Sequence, residues 1–112
     1  MRSSLMIATA ISVFTISTAH AEMPYYDVDK YCKKIASMGG GSSQALLPSC
    51  YQQEQTAYNA VKPRWESLPA EMRTYCDQIA AFGGTGSYML LESCIQQEEA
   101  AAGSNSGFQF TR

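Results

Sequence analysis

The sequence has little to do chemistry with. Its 112 residues include a single histidine, His20, and only 16% are charged. Eight basic residues against ten acidic ones leave no basic footprint, which excludes a phosphate-dominated nucleic-acid contact. Apart from the run Leu5 to Ile16 there is no long apolar stretch, so nothing downstream of it can span a bilayer. There is no C-x-x-C pair, and the nearest cysteines lie eighteen residues apart, a spacing unlike a dithiol redox centre or a four-thiolate zinc site. A chain this short holds one small domain and no large enzyme architecture.

The beginning of the chain reads as an address. Arg2 supplies a positive start, Leu5 to Ile16 an apolar core, and Ala19-His20-Ala21 small residues at both recognition positions of a cleavage site. The expectation is a signal peptide over 1–21, cut between Ala21 and Glu22, and a periplasmic or secreted protein with no further membrane contact. Cleavage removes His20 and leaves 91 residues with seven bases and ten acids, a net charge of −3. A mature chain without histidine lacks the commonest general base and the commonest metal ligand. No enzyme activity, catalytic residue, metal or cofactor is therefore expected.

What is present is a unit written twice. Tyr31 to Ala57 matches Tyr75 to Ala101 at a constant offset of 44 without a gap. The identities include the tyrosine-cysteine pairs Tyr31-Cys32 and Tyr75-Cys76, Ile35 and Ile79, Leu46-Leu47 and Leu90-Leu91, Cys50 and Cys94, and the triplets Gln52-Gln53-Glu54 and Gln96-Gln97-Glu98. Each unit reads as helix, glycine loop, helix. Val28, Tyr31, Cys32, Ile35 and Ala36 fall on one helical face behind the N-cap candidate Asp27, and Gly39-Gly40-Gly41 closes that helix. Leu47, Cys50, Tyr51, Ala57, Tyr58, Val61 and Trp65 stripe the return helix, which Pro48 predicts to start late or kinked and Pro63 to end. Pro69 suits the first turn of the third helix, and the fourth is predicted to start at Ser87. The predicted fold is all-α: two tandem disulfide-stapled hairpins, four helices in one small bundle. The helical domain covers 22–102, with repeats at about 27–61 and 69–102, and the composition of 103–112 predicts a flexible tail.

Four cysteines in a short exported chain imply two disulfides. Cys32 and Cys50 lie nine residues either side of Gly41, and Cys76 and Cys94 nine either side of Thr85. Residues equidistant from the turn of an antiparallel hairpin face each other, so the pairs are Cys32 with Cys50 and Cys76 with Cys94. Each closes a loop of about 19 residues, worth roughly 3 kcal/mol on the loop-entropy account.

Other motifs are weaker. The loops Gly39-Gly40-Gly41-Ser42-Ser43 and Gly83-Gly84-Thr85-Gly86-Ser87 precede helix N-termini but lack a phosphate-binding lysine and a preceding strand, so they read as hairpin turns. Asp27-Val28-Asp29 opens like a calcium loop and then fails, with Cys32 where the glycine belongs and Met38 where the glutamate belongs. Glu54 and Glu98 sit at the edge of the apolar stripes, placed to reach a basic or backbone donor. Of the seven tyrosines, Tyr25 and Tyr26 ahead of the first helix and Tyr88 beside the second glycine loop are the candidate anchors for a protein partner, whose identity stays open together with the oligomeric state.

The stretch W-x2-LP-x3-R-x2-C followed by GG-x-G-SY-x2-L-x2-C resembles small exported, two-disulfide helical-hairpin-repeat proteins of alphaproteobacterial type, which have no established activity. Trp65, Pro69, Arg73, Cys76, Gly84, Ser87, Tyr88 and Cys94 carry the resemblance. The first unit departs from it at Gln44 and Pro48. The resemblance implies the fold and export and no catalytic residue. The functional expectation is a small non-catalytic binding or interaction module, with an acid-protective periplasmic holdase chaperone as the alternative.

Overall fold

A computed structural model describes residues 6, 8–13, 21–38, 43–104 and 111–112. Most of the expected signal segment, the loop Gly39-Gly40-Gly41 and most of the expected tail lie outside the described residues. Four α-helices follow one another with no strand among the described residues: α1 Val28–Ala36, α2 Leu46–Val61, α3 Ala70–Ala81 and α4 Tyr88–Ser104.

The local chemistry explains the helix ends. Asp27 caps α1 by accepting from Lys30 N–H at 3.0 Å, and Lys33 and Lys34 sit in its last turn, where the helix dipole favours cations. Pro48 does not delay α2, which begins at Leu46. The proline occupies the first turn, where an N–H has no intrahelical carbonyl to meet, so its missing donor costs nothing there. Pro63 does end α2, and a 3₁₀ helix over Lys62–Ser67 takes up the chain. Pro69 stands one residue outside α3, as its N-cap. Ser87 opens α4, its Oγ accepting from Leu90 N–H at 3.3 Å and its carbonyl from Leu91 N–H at 3.1 Å. Gly103 and Ser104, expected in the tail, are helical because the alanine-rich end of α4 propagates through them.

Disulfides join Cys32 to Cys50 and Cys76 to Cys94, with Cα atoms 5.6 and 5.5 Å apart. Two such bonds fit an oxidising, extracellular-type compartment. Each hairpin is thus stapled within itself, α1 to α2 and α3 to α4, and α2 packs on α4 to join them. The core runs between α2, α3 and α4 and contains Ala57, Val61, Trp65, Cys76, Ala80, Leu91 and Ile95. Leu91 and Ile95 are fully covered. The N-terminal segment 21–27 crosses this assembly, with Ala21 and Met23 packed on the core and the Trp65 indole N–H donating to the Glu22 carbonyl at 2.9 Å.

Candidate functional site

Glu54, on α2, is the most deeply buried ionisable side chain, 1% exposed. One carboxylate oxygen accepts from the Ser87 hydroxyl at 2.5 Å and the other from the Tyr88 N–H at 2.6 Å. A carboxylate from the first repeat therefore caps the last helix of the second, where the positive end of the α4 dipole compensates its charge. The Ser87–Glu54 contact has the partners of a nucleophile and a base. Ser87 is fully covered, however, and its Oγ also receives the Leu90 N–H, so the pair is a helix cap.

Tyr88 continues the junction. Its hydroxyl donates to the Pro24 carbonyl at 2.8 Å and accepts from Tyr26 N–H at 3.1 Å. The Tyr26 hydroxyl donates to Asp77 on α3 at 2.7 Å, and Asp27 N–H donates to the Thr85 carbonyl at 3.1 Å. Segment 21–27 is thereby strapped to the second hairpin. Gly86 permits the strap: its φ is +77°, and a Cβ there would sit 2.6 Å from Tyr26 Cγ. Burial and the Asp77 carboxylate push the Tyr26 hydroxyl far above the ordinary tyrosine range, and burial pushes Tyr88 up as well.

Two of the three candidate anchor tyrosines are thus corrected. Tyr26 and Tyr88 are 5% and 6% exposed, and their hydroxyls are satisfied inside the protein, so neither projects toward a partner. Only Tyr25 stands out, 88% exposed. All three nevertheless line one feature, a solvent-open cleft of about 460 Å³ where the strap, α1 and α2 meet the start of α4.

It is lined by Tyr25, Tyr51, Tyr58, Asp27, Asp29, Val28 and Gln55, with the buried Tyr26, Tyr88 and Glu54 as its floor and no lysine or arginine. Three rings form one contiguous cluster: Tyr26 lies tilted 4.7 Å from Tyr88, and Tyr58 meets Tyr88 edge-on at 4.9 Å. At the rim, Tyr51 donates to Asp29 Oδ1, and Lys33 pairs with Asp29 Oδ2 at 2.8 Å. The Lys33 ammonium and then the Tyr51 hydroxyl hold the Asp29 carboxyl below its ordinary range, while Asp29 raises Lys33 and Tyr51 in turn.

Tyr51 and Tyr58 were legible only as core stripe. Tyr51, Glu54, Gln55 and Tyr58 in fact fall at i, i+3, i+4 and i+7, a polar-aromatic face of α2 that periodicity alone would have flagged. A larger groove of about 520 Å³ between α2 and α4 is lined mostly by amides and serines, with no aromatic ring and no buried polar group. The tyrosine cleft, where rings and carboxylates converge, is the better candidate.

Among the described residues no group of three His, Cys, Asp or Glu side chains is placed to hold a metal ion, and no helix is long and apolar enough to cross a membrane. Asp27 and Asp29, the start of the failed calcium motif, serve as a helix cap and a rim ion pair. No protein-family model, curated protein or solved structure matches this chain.

Proposed function

We propose that this protein is a small, non-catalytic binding module of the periplasm or extracellular space, and that the cleft between strap, α1 and α2 is its ligand site. The observation that supports this reading is the convergence of Tyr25, Tyr51, Tyr58, Asp27 and Asp29 on one open cleft over a buried, hydrogen-bonded floor of Tyr26, Tyr88 and Glu54. Concave sites lined by aromatics with a few fixed polar groups are the usual form of small-ligand sites. The scaffold argues the same way: bridges and a buried cap hold the cleft's walls in place, which lowers the ordering cost of binding. Export after Ala21 leaves Glu22 at the start of the mature chain, where its carbonyl keeps the Trp65 bond that anchors the strap.

The test is amide and ring NMR of the mature protein against a small-molecule fragment panel. The expected result is a set of fragments whose shifts concentrate on Tyr25, Tyr51, Gln55 and Tyr58. Shifts that fall only on the α2–α4 groove, or none anywhere, would remove this site.

A second reading, the acid-protective holdase, draws support from apolar side chains that both repeats leave in water. Tyr75, Ile79, Phe82 and Leu90 are 48%, 45%, 89% and 43% exposed, and their counterparts Met38 and Leu46 are 69% and 47% exposed. Near pH 2 the neutralised carboxylates leave the mature chain at about +8, which favours expansion and further exposure. Near-UV circular dichroism and client light scattering from pH 7 to 2 test it. Retained Trp65 and tyrosine signals at pH 2–3, with no suppression of client aggregation, exclude the holdase.

A further inference from the structure

Resting on that reading of the cleft, we propose that its ligand is a small quaternary ammonium cation. Three observations converge. The cleft carries the accessible rings of Tyr25, Tyr51 and Tyr58, which bear negative quadrupole potential, beside Asp27 and Asp29 and over a covered floor of Tyr26, Tyr88 and Glu54, with no basic residue on its walls. Its volume of about 460 Å³ suits a compact organic cation and is far larger than a bare metal ion needs. Tyr58 already accepts an ammonium: Lys62 Nζ stands 5.4 Å from its ring centroid, on the side of the neighbouring cleft bounded by Glu22 and Glu66.

The hydrogen bonding selects among cations. Asp27 is occupied by Lys30 N–H, Asp29 by Tyr51 and Lys33, and Glu54 by Ser87 and Tyr88 N–H. These carboxylates offer a negative field more than open acceptor positions. A guanidinium or primary ammonium brings N–H donors that need partners and would leave some unmet on leaving water. A tetraalkylammonium brings charge and methyl groups and no donor, so rings and field satisfy it completely. Lys33 at the rim opposes the cation and partly cancels Asp29, which sets the sign of one variant below.

The experiment uses the mature, oxidised protein and follows tyrosine ring and backbone NMR shifts. The probes are tetramethylammonium and choline, with 3,3-dimethylbutanol as the neutral isostere of choline, and with methylammonium and guanidinium as donor-bearing cations. The expected result is binding of choline about five- to tenfold tighter than its neutral isostere, with shifts on Tyr25, Tyr51 and Tyr58 and weakening at high salt. Tyr25→Ala and Asp29→Asn are expected to weaken choline binding several-fold, and Lys33→Gln to strengthen it. Unchanged near-UV circular dichroism establishes that each variant is folded; the exposed Tyr25→Ala and Lys33→Gln supply the answer if Asp29→Asn is not. Phosphatidylcholine vesicles separate the free cation from a lipid headgroup: tight vesicle binding with no response to choline overturns the proposal.

Equal binding of choline and the neutral isostere at the same residues overturns the cation inference while leaving the cleft as a ligand site. Preference for guanidinium over tetramethylammonium does the same. If no probe binds but fragments of the panel still shift these residues, the cation inference falls alone. If neither does, the proposed function falls with it.

Discussion

The two hairpins began as copies, and their corresponding positions now do different work. Leu91 and Ile95 of the second hairpin are fully covered, while Leu47 and Tyr51, their counterparts in the first, are only half-buried. Both bridges are equally buried, but Cys76–Cys94 packs within the main core cluster and Cys32–Cys50 apart from it. Glu54 is sealed against α4, whereas Glu98, at the equivalent position, is only part-buried. The difference traces to segment 21–27. It docks on the loop of the second hairpin through Tyr26, Tyr88 and Thr85, and the corresponding stretch 65–71 is used instead to turn into α3. At the loop itself the second copy has Tyr88 and Gly86 where the first has Gln44 and Ser42. One hairpin became the core and the other became the outer wall of a cleft.

Removing each staple measures this division most directly. The bridges close loops of equal length, so loop entropy alone predicts equal losses of roughly 3 kcal/mol. Serine buries hydroxyls at either bridge, but losing the Cys76 and Cys94 sulfurs also leaves a packing gap in the main core cluster, and urea unfolding is expected to show a loss larger by about 1 kcal/mol than for the Cys32 and Cys50 pair. Equal losses would mean that the hairpins share stability evenly. The next effect separates the two glutamates. Glu54→Ala strands the Ser87 hydroxyl and the Tyr88 N–H in a dry site and is expected to lower stability by about 2–3 kcal/mol, against less than about 0.5 kcal/mol for Glu98→Ala.

The helices, the hairpin pairing and the caps were legible because they are local. A 3.6-residue period, a symmetric cysteine spacing, Asp27 before α1 and Ser87 before α4 each act within a few turns of chain. The cleft was not legible, because it depends on how segment 21–27 docks, and no periodicity reports that. Tyr26 and Tyr88 looked free from their positions beside loops, yet they bind each other across 62 residues. The apolar stripes misled in the opposite sense. Tyr75 and Ile79 lie on the predicted face of α3 but stay about half exposed, since so few helices cannot cover every stripe they carry. Glu54 was placed at the edge of the stripe and predicted to find a basic or backbone donor; the backbone of α4 is that donor, and the neighbouring hairpin is what seals it.

Alkaline titration sharpens the contrast between core and wall. Tyr26 and Tyr88 have hydroxyls raised above the ordinary value of 10.0 in the folded state, chiefly by burial. A group whose folded pKa is raised contributes stability that is complete below the unfolded pKa and is lost as pH climbs past it toward the folded value. Stability is therefore expected to hold to about pH 10 and to fall above it. Tyrosinate absorbance should show Tyr26 and Tyr88 ionising only as near-UV dichroism collapses. Ionisation of Tyr26 and Tyr88 ahead of that collapse would contradict a sealed second hairpin.

The smallest effect lies on the acid side, at the cleft's rim. Lys33 and then Tyr51 lower the Asp29 carboxyl below its ordinary value of 3.8 in the folded protein. For a depressed carboxylate the sign is the reverse: its contribution is complete above the unfolded pKa and disappears as pH falls through the folded one. The pair is exposed, so solvent screens it and the contribution is small. Comparing wild type with Asp29→Asn by thermal unfolding, the variant is expected to be slightly less stable at pH 6 and indistinguishable once the pH falls below the folded Asp29 value. Carboxyl NMR should place Asp29 below its ordinary value of 3.8. A stability gap that widened on acidification would instead show Asp29 protonating more easily in the folded protein. Lys33 and Tyr51 would then not be stabilising the Asp29 carboxylate at the rim.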